Sequence, residues 1–188
     1  MKLGLIGLKK NIDISIREKF SLGGRRKDEK LKALLKEFEE AVILSTCNRT
    51  EIYVFHDLGD EEFLNKVFEI LEYDKSLKEY VFLKENHSTI KHLFKVSCGF
   101  HSKILGEDQI LGQIRDAYMD SYAIDGASKN LGRLFESAIA CGKKFRTEAK
   151  LYEIPVSSIS IVTDKFMHLN LKKVMVLGYG EIGQLAIK

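Results

Sequence analysis

Residues 41–55 read Ala-Val-Ile-Leu-Ser-Thr-Cys-Asn-Arg-Thr-Glu-Ile-Tyr-Val-Phe. The runs 41–44 and 52–55 are apolar and rich in β-branched and aromatic residues, the composition of strands. The polar stretch between them holds one thiol, Cys47, and one guanidinium, Arg49. The pattern predicts two strands joined by a polar loop over residues 44–51. Asn48 and Glu51 also have the spacing of a capping box that opens a helix. Ile-Tyr-Val-Phe is a poor first helical turn and a good strand, so the strand reading is preferred. A thiolate is the nucleophilic form of cysteine, and nearby cations favour it. Arg49 can supply that field, or can bind a carboxylate through its planar fork. A buried structural cysteine beside a solvated arginine fits the same spacing, and the spacing alone leaves both readings open.

Outward from this stretch the chain alternates strands and helices. Residues 3–8 form a strand pattern, and 13–20 an entry segment with a short helix. Residues 23–27, Gly-Gly-Arg-Arg-Lys, read as a turn with a basic run. Residues 28–40 carry Leu31, Leu34, Leu35 and Phe38 at helical spacing. Residues 61–71 do the same with Phe63, Leu64, Val67, Phe68 and Leu71, and 80–83 is another short strand. Strand, helix, two strands, helix, strand is the order of a ferredoxin-like α/β sandwich. The fold class expected is α+β, with the sandwich over about residues 1–86.

A helical part follows over about residues 87–150. Ser88 is the expected N-cap of a helix whose apolar positions are Ile90, Leu93, Phe94 and Val96. Ile110, Ile114, Ala117, Tyr118 and Ser121 keep helical spacing. Residues 128–150 form a long helix with Leu131, Leu134, Phe135, Ala138, Ile139, Gly142 and Phe145 on its apolar face. Its other face carries Lys129, Arg133, Lys143, Lys144, Arg146 and Lys150 against Glu136 and Glu148, a candidate phosphate-facing surface. A solvated helix face accounts for the same charges.

Pro155 breaks the chain, and residues 156–168 read as one more helix. Residues 172–177 read as a strand running into Gly178-Tyr179-Gly180-Glu181-Ile182-Gly183, with a helix starting at Gln184. Glycines at this spacing permit a tight turn, close approach to a pyrophosphate and close strand–helix packing. A dinucleotide-binding half needs further strands and an acidic residue about 20 positions on. Residues 151–188 are therefore expected to be a connecting helix and the truncated start of a Rossmann domain.

Composition narrows the class. The 188 residues are 45% hydrophobic and 30% charged, ordinary for a globular protein, and the net charge of +3 neither demands nor opposes a nucleic-acid partner. Cys47, Cys98 and Cys141 form neither a disulfide framework nor a metal-ligand spacing, which points to a reducing compartment. No run is long enough to span a bilayer. The expected location is cytoplasmic.

Two separated motifs together resemble one family. Residues 45–51, Ser-Thr-Cys-Asn-Arg-Thr-Glu, resemble the active-site loop of glutamyl-tRNA reductase. Residues 106–113, Gly-Glu-Asp-Gln-Ile-Leu-Gly-Gln, resemble that family's second signature. His92, residues 145–148 and the glycine turn at 178–183 fall in the family's order. The resemblance implies a catalytic, glutamate-recognising domain over residues 1–150, followed by the opening of an NADPH-binding domain over 151–188. It implies reduction of glutamyl-tRNA to glutamate-1-semialdehyde, the first step of tetrapyrrole (porphyrin) synthesis from glutamate, through a thioester on Cys47. By the same resemblance His92 is a second catalytic residue, an acid or base near the thiol. Thr46, Cys47, Asn48, Arg49, Ser102, Glu107, Asp108, Gln109 and Gln113 make up the glutamate site, with Arg49 on the side-chain carboxylate. Gly178, Tyr179, Gly180, Glu181, Ile182 and Gly183 hold NADPH, at a site incomplete in this chain. Implied partners are glutamyl-tRNA, the enzyme that takes the aldehyde next, and a second copy in a full-length homodimer. Two positions depart from the family: His101 stands where aspartate is usual, and Asp108 where proline is usual. Cys98 is expected to be inert packing. A non-catalytic tRNA-binding module, resting on the basic face of residues 128–150, is the alternative. A simple dinucleotide-binding dehydrogenase leaves the cysteine loop unexplained.

Overall fold

The computed structural model describes residues 1–102, 109–150, 168–169, 173–180, 183–184 and 187. The chain runs β1 (Lys2–Leu8), α1 (Ile14–Phe20), α2 (Gly24–Leu34), β2 (Ala41–Thr46), β3 (Arg49–His56) and α3 (Asp60–Leu71). A 3-10 turn (Lys75–Tyr80) leads into β4 (Val81–Glu85), followed by α4 (Asn86–Ser97), α5 (Gln109–Tyr122) and α6 (Asn130–Glu148). The four strands form one antiparallel sheet in the order β2-β3-β1-β4. β3 thus lies between β1 and β2, the arrangement that a split βαβ unit requires.

The apolar runs are continuous because both faces of the sheet are covered. Ile6, Leu8, Ile43, Ile52 and Val54 point to one face, where Phe20, Leu31, Leu34, Phe63, Val67, Phe68 and Leu71 of α1–α3 pack on them. Leu3, Leu5, Val42, Leu44 and Tyr53 point to the other, against Leu93, Val96, Ile110, Ile114, Leu131, Phe135 and Ala138 of α4–α6. Side chains alternate along a strand, so a strand with two buried faces shows no polar alternation. Each fully buried Leu, Ile or Phe stabilises the fold by about 1.5–3 kcal/mol, and these two layers hold most of them. Gly142 lets α6 approach α4: a Cβ there would lie 2.7 Å from the Ser97 carbonyl oxygen.

One contact ties the layers together across the sequence. Glu40 is 3% exposed, although nothing about residues 37–40 announces a core position. Its carboxylate accepts hydrogen bonds from the backbone N–H groups of Lys129 (2.9 Å), Asn130 (3.0 Å) and Leu131 (3.2 Å). The first turn of a helix has N–H groups with no partner inside the helix, and a negative charge suits that end. Glu40 supplies the cap that the Lys129 side chain does not. Glu40→Ala is expected to cost about 2 kcal/mol, the upper range for a lost cap, with Glu40→Gln costing less. Thermal unfolding checks this; an unchanged midpoint in Glu40→Ala means that α6 is started by something else.

Several expected elements differ in detail. Residues 25–27 are not a turn but lie in the first turn of α2, which begins at Gly24 and ends at Leu34 rather than spanning 28–40. Phe38 still reaches the core through the turns that follow, at 5% exposure. The polar loop over 44–51 contracts to two residues, because Ser45, Thr46, Arg49, Thr50 and Glu51 join the strand ladder. Ser88 is not the N-cap of α4. Glu85 holds that position, and Ser88, three residues on, accepts a hydrogen bond from its N–H. The inner face of α4 is accordingly Thr89, His92, Leu93 and Val96, while Ile90 is exposed.

Of the strand expected over 172–177, residues 173–177 are exposed and not paired in a sheet, and residue 172 lies outside the described residues. A strand is held by its neighbours' main-chain groups, and no described strand lies beside it. The helix expected over 156–168 lies outside the described residues, apart from His168.

Candidate active site

Residue 46 pairs with residue 49 in the β2–β3 ladder, so Cys47 and Asn48 alone make the turn. Cys47 is exposed there. The Thr46 hydroxyl accepts a hydrogen bond from the Asn48 N–H at 3.2 Å and steadies the turn. Rigid strands on both sides fix the direction of the thiol, an arrangement in which loops commonly carry reactive groups.

β3 then places Arg49, Glu51 and Tyr53 on one face, two residues apart. All three are buried, and they share their charges. Arg49 Nη1 donates to Glu51 Oε1 at 3.1 Å, and Nη2 donates to the His101 carbonyl at 3.1 Å. The Tyr53 hydroxyl donates to Glu51 Oε2 at 2.7 Å. From α4, His92 Nε2 lies 2.8 Å from Glu51 Oε1. Burial pushes the Glu51 carboxyl up, but the hydrogen bond with His92 and the Arg49 guanidinium outweigh it and hold the group below the usual carboxylate range. Burial and the Glu51 carboxylate push the Tyr53 hydroxyl well above its usual value. His101 stacks at an angle on His92, with ring centroids 4.9 Å apart. Burial, then repulsion from His92, Lys10 and Arg49, pushes its pKa down to about 4.

These residues enclose two adjoining cavities. One of about 30 Å³ is lined by Thr46, Cys47, Asn48, Arg49, Ser102, Gln109, Ile110 and Gln113. Gln109 and Gln113 are four residues apart on α5 and so face it together. The other, about 50 Å³, is lined by Asn48, Arg49, Glu51, His92 and His101 among others. Asn48 and Arg49 stand on the wall between them. The structure therefore brings Thr46, Cys47, Asn48, Arg49, Ser102, Gln109 and Gln113 to one place. His92 is in the second cavity, on Glu51, and does not line the cleft of the thiol. Glu107 and Asp108 lie outside the described residues. Arg49 is less free than its motif implies, since both terminal nitrogens are engaged; each keeps a second proton for another acceptor.

Sequence reasoning missed Glu51 as the hub of the network. Its signal was the alternation of Arg49, Glu51 and Tyr53, polar groups at period two in a strand buried on both faces. Arg17 was also missed: its Nη1 lies 3.5 Å from Asn48 Oδ1, and its Nη2 donates to the Ile12 carbonyl at 2.9 Å. Cys98 is 6% exposed, as inert packing requires.

The basic face of α6 is partly spent. Lys129 pairs with Glu39, Lys144 with Glu148, and Arg146 Nη1 turns inward to the carbonyls of Ser97 and Gly142. Gly178 has φ +106, and a Cβ on Gly183 would collide with the Gly178 carbonyl oxygen. A glycine is thus required at both positions, as the glycine pattern of a dinucleotide site has it. Glu181 and Ile182 lie outside the described residues.

Residues 6–149 match the family described as "Glutamyl-tRNAGlu reductase, N-terminal domain". The chain belongs to this family. A glutamyl-tRNA reductase of Clostridium beijerinckii is 54% identical over 186 residues, 99% of this chain and 46% of that protein. One from Clostridium perfringens is 50% identical over 188 residues, 99% of this chain and 47% of that protein. The chain thus spans about half the length of these reductases. The solved structure of glutamyl-tRNA reductase from Methanopyrus kandleri superposes with a TM-score of 0.71 at 24% identity, covering 98% of this chain and 45% of that one. That likeness speaks for a shared fold, and it includes the four-stranded antiparallel sheet with its helices. Among the described residues, no helix is long and apolar enough to cross a membrane.

Proposed function

We propose that this chain carries the acyl-transfer half of a glutamyl-tRNA reductase, acting in tetrapyrrole synthesis. The observation that carries the reading is the exposed Cys47 on a two-residue turn, sharing one cleft with Arg49, Gln109 and Gln113. The Cys47 thiolate attacks the acyl carbon of the glutamyl ester. A C–S bond forms, the C–O bond to the terminal ribose breaks, and that oxygen leaves with the electron pair and takes a proton. Covalent catalysis of this kind divides one difficult step into two easier ones.

Arg49 faces the glutamate side-chain carboxylate with the protons its two bonds leave over, an orientation held by Glu51 and the His101 carbonyl. The oxygens of Gln109 and Gln113 accept from the substrate ammonium group, and Thr46, Asn48 and Ser102 line the pocket. Glu107 and Asp108 belong to the same pocket in this reading. His92 acts through Glu51: it holds the carboxylate that holds Arg49, and is a positioning residue.

NADPH, when bound, supplies the hydride that turns the thioester into an aldehyde. Gly178, Tyr179, Gly180, Glu181, Ile182 and Gly183 would hold its pyrophosphate at the turn. Without NADPH, water is the acceptor available to the thioester, so the product expected is free glutamate.

Thiol reactivity tests the site before any substrate is added. Iodoacetamide near neutral pH is expected to alkylate Cys47 at least about tenfold faster than Cys98 or Cys141, because Cys47 is exposed whereas Cys98 is buried and Cys141 is half-buried. Mass spectrometry of the digested protein reads the three rates. Equal rates would deny Cys47 any special reactivity.

A further inference from the structure

Three cationic side chains converge beside the Cys47 turn and take no part in the chemistry above. β1 runs antiparallel to β3 with Gly7 opposite Glu51. Two residues further, Lys9 leaves the sheet at the end where Arg49 enters it. Lys9, Lys10 and Arg17 line a cleft of about 400 Å³ together with Asn48, His101 and Ser102. Among the described residues, no carboxylate lines it. Lys9 and Lys10 are exposed. Lys9 Nζ donates to the Glu79 carbonyl at 2.7 Å, which uses one of its three protons. Arg17 reaches Asn48, so the cleft and the thiol's turn share a residue.

We propose that this cleft binds the backbone phosphates at the 3′ end of the aminoacylated RNA. The inference rests on the acyl-transfer reading and adds the place where the leaving group sits. The scissile ester is on the terminal ribose, so the phosphate of that nucleotide must lie within one nucleotide of Cys47. The 30 Å³ cleft takes the glutamyl group; of the two clefts of about 400 and 390 Å³ that share Asn48 with it, the one lined by Lys9, Lys10 and Arg17 carries the lysines and takes the nucleotide. Lysine serves phosphate as a mobile point charge and arginine as a fork, and both are present. An end of single-stranded RNA offers phosphates without a groove to read, so charge alone suffices.

The test is the paired variant Lys9→Gln, Lys10→Gln in the chain, with unacylated glutamate tRNA as the binding probe over 50–200 mM KCl. Each single-strand phosphate contact contributes about 0.7 to the slope of log affinity against log salt, so the slope is expected to fall by about 1.4. Over that fourfold salt range the parent then loses about sevenfold more affinity than the variant. The rate of glutamate release from charged tRNA, divided by that from glutamate ethyl ester, is expected to fall as well. Lys10→Arg, which keeps the charge, is expected to keep the slope. An unchanged slope and rate ratio in the paired variant, with an unchanged unfolding midpoint, overturns the proposal. If the pair does not fold, Lys10→Gln alone is expected to lower the slope by about 0.7, and no change overturns it equally. Binding is measured whether or not Cys47 transfers an acyl group, so failure of the acyl-transfer reading shows separately, as loss of release from both substrates in the parent.

Discussion

Cys47→Ala is expected to reduce glutamate release from charged tRNA by more than about a thousandfold, the scale of losing a covalent nucleophile. Cys47→Ser is expected to fall nearly as far, because a hydroxyl has a much higher pKa than a thiol and is a far weaker nucleophile at neutral pH. The thiol is exposed and sits in a turn rather than a core, so neither change disturbs packing, and both variants are expected to unfold at the parent's temperature. The measurement is release of labelled glutamate by the chain under single-turnover conditions, with a labile acyl-enzyme trapped by acid quench in the parent only. Hydrolysis that persists at the parent rate in both variants would remove the thiol from the mechanism and leave Arg49 and the two glutamines as a binding pocket.

Glu51→Ala is expected to be the most destabilising single change in the site. It leaves the Arg49 guanidinium 8% exposed without its carboxylate, and removes the partner of His92 and Tyr53 at once. Removing one member of a buried ion pair costs about 3–5 kcal/mol. Glu51→Gln keeps the shape and part of the hydrogen bonding, and is expected to cost less. The pH dependence separates charge from packing. The folded-state pKa of Glu51 lies below its ordinary value of 4.5, so its contribution is present above pH 4.5 and is lost as pH falls through the folded value. The parent is therefore expected to lose stability over that acid range more steeply than Glu51→Gln. Urea unfolding at a series of pH values reads both effects. A parallel pH profile in the two proteins would show that Glu51 is neutral in the fold. If Glu51 also orients Arg49, residual activity in Glu51→Gln is expected to show its largest loss in KM rather than kcat.

Glu51 also shows where sequence reading stops. The strands at 41–44 and 52–55 were legible because an apolar β-branched run has few other ways to bury itself. The hairpin, the five buried positions of α5 and most of the apolar face of α6 followed from periodicity alone. The polar partners did not. Glu51 looked like one more residue of a loop, because its partners come from the same strand at period two and from α4, 41 residues away. Glu40 looked like a surface glutamate, because the helix that it caps begins 90 residues later. Arg17, Lys9 and Lys10 gave no motif, since they share a cleft with Asn48 only once β1, β3 and α1 are packed together.

The linear chain by itself determined the strand-bounded placement of Cys47, the split βαβ order of elements and the resemblance that its two signatures carry. These depend on local pattern, which hydrophobic burial enforces residue by residue. Only the tertiary structure decided that Arg49 is braced by Glu51, that His92 stands behind it rather than beside the thiol, and that basic residues gather at the end of β1 while those of α6 are partly paired. Charges interact through space and not along the chain, so their arrangement exists only once the sheet register has brought them together.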